Sequence, residues 1–372
     1  MADFKLNGIT PDGVGKIKLG SVDVQEIYMG STLVWPASDT PYVPVEGEEL
    51  TFISNKTTEP YYGLFDSNFN EISSDFNFSS LPSSNFKIAA VSDNLNYMIA
   101  AFTNDWINPG YISKNRGVSW TQMSNFNTRT GHVYMSKSGR VIIFNINSSG
   151  IDYAISNDYG DSFTNLDLSS LIPSGGTAVS VNSISISSDG EVILLNVAIN
   201  GTYSPKYGVH VFKSTDHGET FVDISSDINP TIGLYQWYTS LVSGDGKYQI
   251  HFSRNSPSSW SNDYGETFTN KNYPLTAITK ASINADGRYF MFYRTDTQDF
   301  VYSNDYGESA TFSTIPNSRS ETSGVSNSGE YSFAFSDGLT SIEYSNDYFN
   351  SFTSSNFANG ASWPLYIVDT LL

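Results

Sequence analysis

The residues best placed to do chemistry come back again and again along the chain. Ser156, Asp158 and Gly160 stand in SNDYGDSF. The same spacing returns as STDHGETF, with Ser214, Asp216 and Gly218, and as SNDYGETF, with Ser261, Asp263 and Gly265. Looser copies hold Ser113, Asn115 and Gly117, then Ser303, Asp305 and Gly307, then Ser345 and Asp347, where Phe349 replaces the glycine. A worn copy lies at Asp66–Ser73, with Asn70 at the glycine position. A carboxylate two residues after a serine and two before a glycine is suited to accept backbone N–H bonds within a tight turn, while the glycine takes a positive φ. One acid repeated at one position in unit after unit reads as scaffold, so these aspartates are assigned a structural role and neither a catalytic nor a metal-binding one.

Other reactive groups do not converge. His132, His210, His217 and His251 are scattered over different segments, and HExxH, GxSxG and P-loop patterns are missing. With no cysteine there is no disulfide framework and no thiolate metal site. Asp105, Asp227, Asp296 and Asp299 fall in loop-like segments, but their spacing does not pair them as a glycosidase would need. No metal and no cofactor is expected. Trp106, Tyr203, Tyr207, Tyr235 and Trp237 sit in polar, turn-rich stretches, where aromatic rings suit stacking on sugars or anchoring a protein. These five are the candidate ligand-binding residues.

The elements that position these groups follow from the repeat. Successive clear copies lie 42 to 58 residues apart, the length of a four-stranded propeller blade. A second motif keeps step with the first. Ser138-Gly139, Asp189-Gly190, Asp245-Gly246, Asp286-Gly287 and Ser328-Gly329 each precede an apolar run such as VIIFNI, VILLNV or YFMFYR. Small-residue–Gly pairs supply the backbone of tight hairpins, and SDNLNY at Ser92–Tyr97 is a sixth copy without the glycine. Each unit is therefore two hairpins, or one four-stranded sheet. Seven apolar second strands are counted, beginning at Leu50, but only six have a first strand ahead of them. Trp363–Asp369 stands where the missing strand belongs and is predicted to pair beside Leu50, closing a ring and removing sheet edges. The expected fold is all-β: a seven-bladed propeller closed by its terminal strands, or a six-bladed one if the worn copy is not a blade.

From Glu46 to Leu372 the chain resembles the Asp-box (BNR) propeller family of sialidases, sortilin-type receptors, xyloglucanases and a photosystem assembly factor. The boxes at Ser156–Phe163, Ser214–Phe221 and Ser261–Phe268 carry the resemblance. It implies a box between the third and fourth strands at the outer rim. Within each box the serine, the acid or Asn115, and the glycine build the turn, and Phe163, Phe221 and Phe268 pack between sheets. Phe349 breaks the pattern, so the last corner is expected to be built differently or strained. Sialidases carry an F/Y-R-I-P motif and three substrate-gripping arginines. The motif is absent, and Arg254 and Arg294 have no third partner, so no enzymatic activity is expected.

Composition narrows the function further. A net charge of −19, from 38 acids against 19 bases, works against coating nucleic acid. No run approaches 18 apolar residues, so no membrane span is expected. The opening MADFKLNGIT lacks the apolar core of a secretion signal. Residues 1–35 share neither motif. Lys16–Val24 and Glu26–Trp35 read as two miniature hairpins turning at Gly20-Ser21 and Gly30-Ser31, and a Pro-rich linker, 36–45, follows before the propeller at 46–372. So small a patch cannot bury enough surface to stand alone. Its apolar residues Ile17, Leu19, Val22, Val24, Ile27, Tyr28, Leu33 and Trp35 must therefore dock on something, either the propeller or another protein, and an undersized sheet ahead of a Pro-rich tether and a large domain favours the second. Lys18–Pro36 resembles leading segments of bacteriophage structural and fibre proteins. The resemblance implies a virion component made in the bacterial cytoplasm, mounted on other virion proteins through residues 1–35. The propeller would be displayed on the capsid, a head fibre or the tail. Further candidate partners are a host-surface glycan or protein and other copies of the chain, and the competing function is a carbohydrate-binding or sialidase-like propeller.

Overall fold

The computed structural model of the protein describes residues 9–11, 17–19, 22–23, 27–29, 32–35, 50–55, 62–65, 71–73, 81, 86–93, 95–102, 109–127, 133–146, 151–172, 176–200, 208–228, 239–252, 258–271, 278–294, 297, 299–308, 313–315, 323–335, 341–356 and 366–369. The chain divides into two compact units, Met1–Val43 and Pro44–Leu372.

In the first unit Ile9–Pro11, Ile17–Leu19 and Val22–Asp23 form a three-stranded antiparallel sheet, and Ile27–Met29 pairs with Thr32–Trp35. Pairing of Leu19 with Val22, and of Met29 with Thr32, leaves two residues for each turn. The strand Ile9–Pro11 is additional to the two hairpins that the sequence pattern predicts. It is three residues long and ends on a proline, which an edge position tolerates because no ladder donor is needed on its outer side. Seven of the apolar attachment candidates fall within these strands, and Val24 lies outside the described residues.

The second unit is a β-propeller. Its described residues form seven four-stranded antiparallel sheets. The first is Tyr366–Asp369, Leu50–Asn55, Tyr62–Phe65 and Glu71–Ser73, and the second is Phe86–Val91, Met98–Phe102, Pro109–Ser113 and Thr121–Asn127. The third is Val133–Met135, Ile142–Asn145, Tyr153–Ser156 and Thr164–Leu166, and the fourth is Thr177–Ile186, Ile193–Asn200, Gly208–Ser214 and Val222–Asp223. The fifth is Thr239–Val242, Gln249–Phe252, Ser258–Ser261 and Thr269–Lys271. Ile278–Ile283, Phe290–Arg294, Asp299–Ser303 and Ser313–Ile315 make the sixth, and Ser323–Val325, Ser332–Phe335, Ser341–Ser345 and Thr353–Asn356 the seventh. First strands neighbour one another in cyclic order, and the terminal strand Tyr366–Asp369 lies between those of the seventh and second sheets. That strand pairs antiparallel with Leu50–Asn55, Asp369 opposite Leu50, so the ring is closed by strands from opposite ends of the unit.

The core lies between the sheets. Second strands are mostly apolar because both faces are covered, and the polar residues they carry, among them Asn145, Asn196, Gln249 and His251, are buried as well. Ile142 and Phe144 pack with Ile99, Ala101 and Ile112 of the second sheet, whereas Val141 and Ile143 pack with Ile184, Leu195 and Phe212 of the fourth. Each fully buried large side chain of this kind contributes about 1.5–3 kcal/mol. The long step between the third- and fourth-sheet corners is spent partly on strand: Thr177–Ile186 and Ile193–Asn200 are ten and eight residues long, with two register irregularities between them. A one-turn helix, Ser225–Ile228, follows and buries Ile228 beside Ile224.

Candidate functional site

The recurring Ser–x–Asp corners connect the third and fourth strands. In the third sheet Ser156 Oγ donates to Asp158 Oδ1 at 2.7 Å and accepts from Gly160 N at 2.8 Å. Asp158 in turn accepts from Ser162 N at 3.0 Å and Ser162 Oγ at 2.6 Å. Asp216 and Asp263 repeat the pattern with Thr220 and Thr267, and Asp347 repeats it with Ser351. Asn115 takes the same place in the second sheet, accepting from Ser119 N at 2.9 Å. Ser303 donates to Asp305 Oδ1 at 2.8 Å and accepts from Gly307 N at 3.1 Å.

These bonds set the acidity of the corners. Hydrogen bonds from Thr267 and Ser261 hold the Asp263 carboxyl down at about 2. For Asp158, Asp216 and Asp347 burial pushes upward, but the hydroxyl and backbone donors outweigh it and hold them below the ordinary carboxylate range. Carboxylates so committed serve as acceptors in a turn, not as proton donors near neutrality.

Each described corner contains two successive left-handed residues, and in all but the last the sequence points to one of them, the glycine. The glycines have φ of +75° at Gly160, +85° at Gly218, +75° at Gly265 and +66° at Gly307, and the residues before them, Tyr159, His217, Tyr264 and Tyr306, have φ near +60°. The N–H of this first residue donates to the hairpin joining the first two strands: Tyr159 N to Arg140 O at 3.0 Å, Tyr264 N to Lys247 O at 3.0 Å, Tyr306 N to Arg288 O at 3.1 Å. Three of the rings also reach the preceding sheet, Tyr159 on Tyr97, Tyr306 on Tyr248 and Tyr348 on Tyr289, with centroids 5.0, 4.9 and 5.6 Å apart. A tyrosine has no preference for positive φ, so its type gives no sign of this; the paired tie and stack supply the compensation.

Phe349 adopts φ +67° and donates from its N–H to Ser345 Oγ at 3.1 Å, as the glycines do. The last corner is thus built like the others, with a second non-glycine residue, after Tyr348, held at positive φ. Its ring is buried against Tyr302, Phe352 and Tyr289.

The hairpins between first and second strands are joined around the ring at the same end as the corners. Asp93 N donates to Lys137 O, Ser138 N to Ser188 O and Ser188 N to Gly244 O, each at 2.8 Å; Asp245 N donates to Ala285 O at 2.9 Å and Ala285 N to Asn327 O at 3.1 Å. From the seventh sheet Asn327 Nδ2 reaches Asp93 Oδ2 of the second, and Lys137 Nζ reaches Asn327 Oδ1. The first sheet contributes no hairpin here, because at this end Leu50 begins one strand and Asp369 ends its partner.

Of the remaining chemistry, Ser240 Oγ lies 2.7 Å from His251 Nδ1 and 2.8 Å from Asn196 Oδ1. Burial drives His251 down to about 3, and both residues are sealed in the core, so the pair is neutral and out of reach of a substrate. His210 Nδ1 lies 2.7 Å from Asp223 Oδ2. Burial pushes the Asp223 carboxyl up, but His210 and Ser225 bond to it and hold it low. Among the described residues no group of three or more His, Asp or Glu is placed to hold a metal. Trp106, Tyr203, Tyr207, Tyr235 and Trp237 all lie outside the described residues, as do His132, Asp105, Asp296 and Arg254.

No family model and no curated protein matches the chain. Solved structures do. An oligogalacturonate lyase in complex with manganese is 11% identical with a TM-score of 0.51, covering 87% of each chain. A functionally unknown protein from Desulfotomaculum acetoxidans is 12% identical at TM-score 0.51, covering 86% of this chain and 99% of its own. The Cps50 (Swd1) beta-propeller domain of Myceliophteria thermophila is 8% identical at TM-score 0.48, covering 76% and 89%. At these identities the likeness is one of fold. It corrects the expectation of no enzymatic activity: a fold of this kind also builds a lyase, so missing hydrolase motifs do not exclude catalysis.

Proposed function

We propose that the chain is a bacteriophage virion protein that is attached through its first unit and displays an Asp-box propeller for surface decoration or adhesion to the host. The observation that carries the reading is the division of the chain into a 43-residue β unit ahead of a large propeller. A sheet of three short strands and a sheet of two offer little core of their own, and a neighbour's surface supplies what they lack. The likeness of Lys18–Pro36 to leading segments of phage fibre proteins supports the same reading. Within the propeller, the strand Leu50–Asn55 starts at the corner end of its sheet. The candidate ligand-binding aromatics fall in sequence within connections at the opposite end of the sheets, where a displayed surface would meet its ligand.

Deletion of residues 1–43 tests the proposal. The shortened chain is expected to keep a cooperative thermal melt and a β circular-dichroism spectrum, and to be lost from particles on gradient sedimentation. Incorporation at the full-length level would overturn attachment through the first unit. Collapse of the melt would show that these residues belong to the propeller's own core.

A further inference from the structure

Successive sheets are laced together at their corner ends, mostly by lysine. Lys114 Nζ of the second sheet donates to Asp161 Oδ1 in the third-sheet corner at 2.6 Å. Lys213 Nζ of the fourth donates to the Tyr264 carbonyl in the fifth. Lys271 Nζ of the fifth donates to the Gly307 carbonyl of the sixth at 2.9 Å and lies 3.4 Å from Glu308 Oε1. Between the sixth and seventh sheets aromatic packing does the same work, with Tyr302 against Phe349 and Phe352 at 5.2 and 5.1 Å.

The junction between the third and fourth sheets differs. Counted from the corner serine, the three lysines stand at positions +1, −1 and +10, and in the third sheet those positions are Asn157, Ile155 and Leu166. All three line a cleft of about 530 Å³ between the outer strand Thr164–Leu166 and the fourth-sheet corner. The corner groups that receive lysine elsewhere stand at +3, +4 and +5. Their counterparts here, His217, Gly218 and Glu219, line the same cleft. The sixth sheet also has no lysine at these positions, which hold Asn304, Tyr302 and Ser313, but there the aromatic rings fill the junction; here the acceptor positions border an open cleft.

We propose that this cleft is a docking site for a lysine side chain presented by an extended segment of a partner protein, its ammonium taking the place that the chain's own lysines hold at neighbouring junctions. Ile155, Leu166 and Leu171 offer an apolar path for the four-carbon stem. Glu219 and Asp167 add negative charge, and among the described residues no Lys or Arg lines the cleft to oppose a cation. The volume is that of a small-ligand pocket and exceeds one side chain, leaving room for flanking backbone beside a strand that is outermost in its sheet. A chain of net charge −19 attracts basic partners. The site does not depend on a virion role and can be tested without particles.

The test is titration calorimetry of the full chain with the blocked pentapeptide Gly-Thr-Lys-Val-Gly, its Nε-acetyl-lysine form and n-butylamine. Saturable peptide binding is expected, weaker by about tenfold or more for the acetylated peptide and for n-butylamine. A loss of about tenfold is also expected in Leu166→Lys, which copies Lys271 and fills the cleft from within, and in Glu219→Gln. A thermal melt checks that Leu166→Lys folds. If it does not, Glu219→Gln, which alters an exposed side chain, supplies the same comparison. No saturable binding, binding that survives acetylation, n-butylamine binding as tight as the peptide, or full binding by Glu219→Gln would each overturn the proposal.

Discussion

A side chain in a corner does one job, and its protonation state follows from that job. Asp263 is held at about 2 by donors that exist only in the folded turn. A carboxyl whose folded value is depressed contributes stability at pH above its unfolded value of about 4 and loses that contribution as pH falls through the folded value. The protein is therefore expected to weaken in the window from about pH 4 to about pH 2. The combined variant Asp158→Asn, Asp216→Asn, Asp263→Asn and Asp347→Asn should flatten that acid limb in urea-midpoint measurements. An acid limb as steep as that of the parent protein would show that other carboxylates set it. Gly160 makes a second test. It has φ +75°, and a methyl there would lie 2.4 Å from Ile112 Cδ1. Gly160→Ala should cost about 2–4 kcal/mol, combining left-handed strain with overpacking, read from the same urea curves. The carboxylate's part in the turn is legible from the spacing of serine, acid and glycine. The paired left-handed residue is not, because its side-chain type varies through Tyr, His and Arg and its φ is imposed by a hydrogen bond to another hairpin.

At the scale of strands, the repeat carries most of the information. Two motifs in phase locate the hairpins, and the apolar runs locate the buried second strands. Tyr366–Asp369 follows by elimination, as the one first strand that the start of the propeller lacks. Ile9–Pro11 is illegible because three residues ending in proline carry no readable alternation. The cleft beside Thr164–Leu166 is illegible for a different reason: it is a gap between two sheets, and such a gap shows only once the sheets are set side by side in space. Removing residues 366–372 should leave Leu50–Asn55 as an open edge. The prediction is a lower thermal midpoint, a broader transition, and new protease cleavage concentrated near residues 50–73. An unchanged melt would mean that the other sheets hold the ring shut without the terminal strand.

For the molecule as a whole, fold and function separate cleanly. Seven sheets built on one plan show what the repeats are for, and a fold of the same kind elsewhere builds a lyase, so purpose has to be sought in what breaks the plan. Three breaks stand out: the small leading unit, the phenylalanine in the last corner and the open cleft between the third and fourth sheets. The joining of Leu50–Asn55 to Tyr366–Asp369 has a consequence of another kind. The two strands are separated by roughly 300 residues, a contact of very long range, and bringing such partners together is slow. During synthesis the earliest-made strands of the wheel must wait for nearly all the rest to emerge, so the middle sheets stack first as an open arc. Until Tyr366–Asp369 arrives, Leu50–Asn55 presents an unpaired edge that a wrong partner can take.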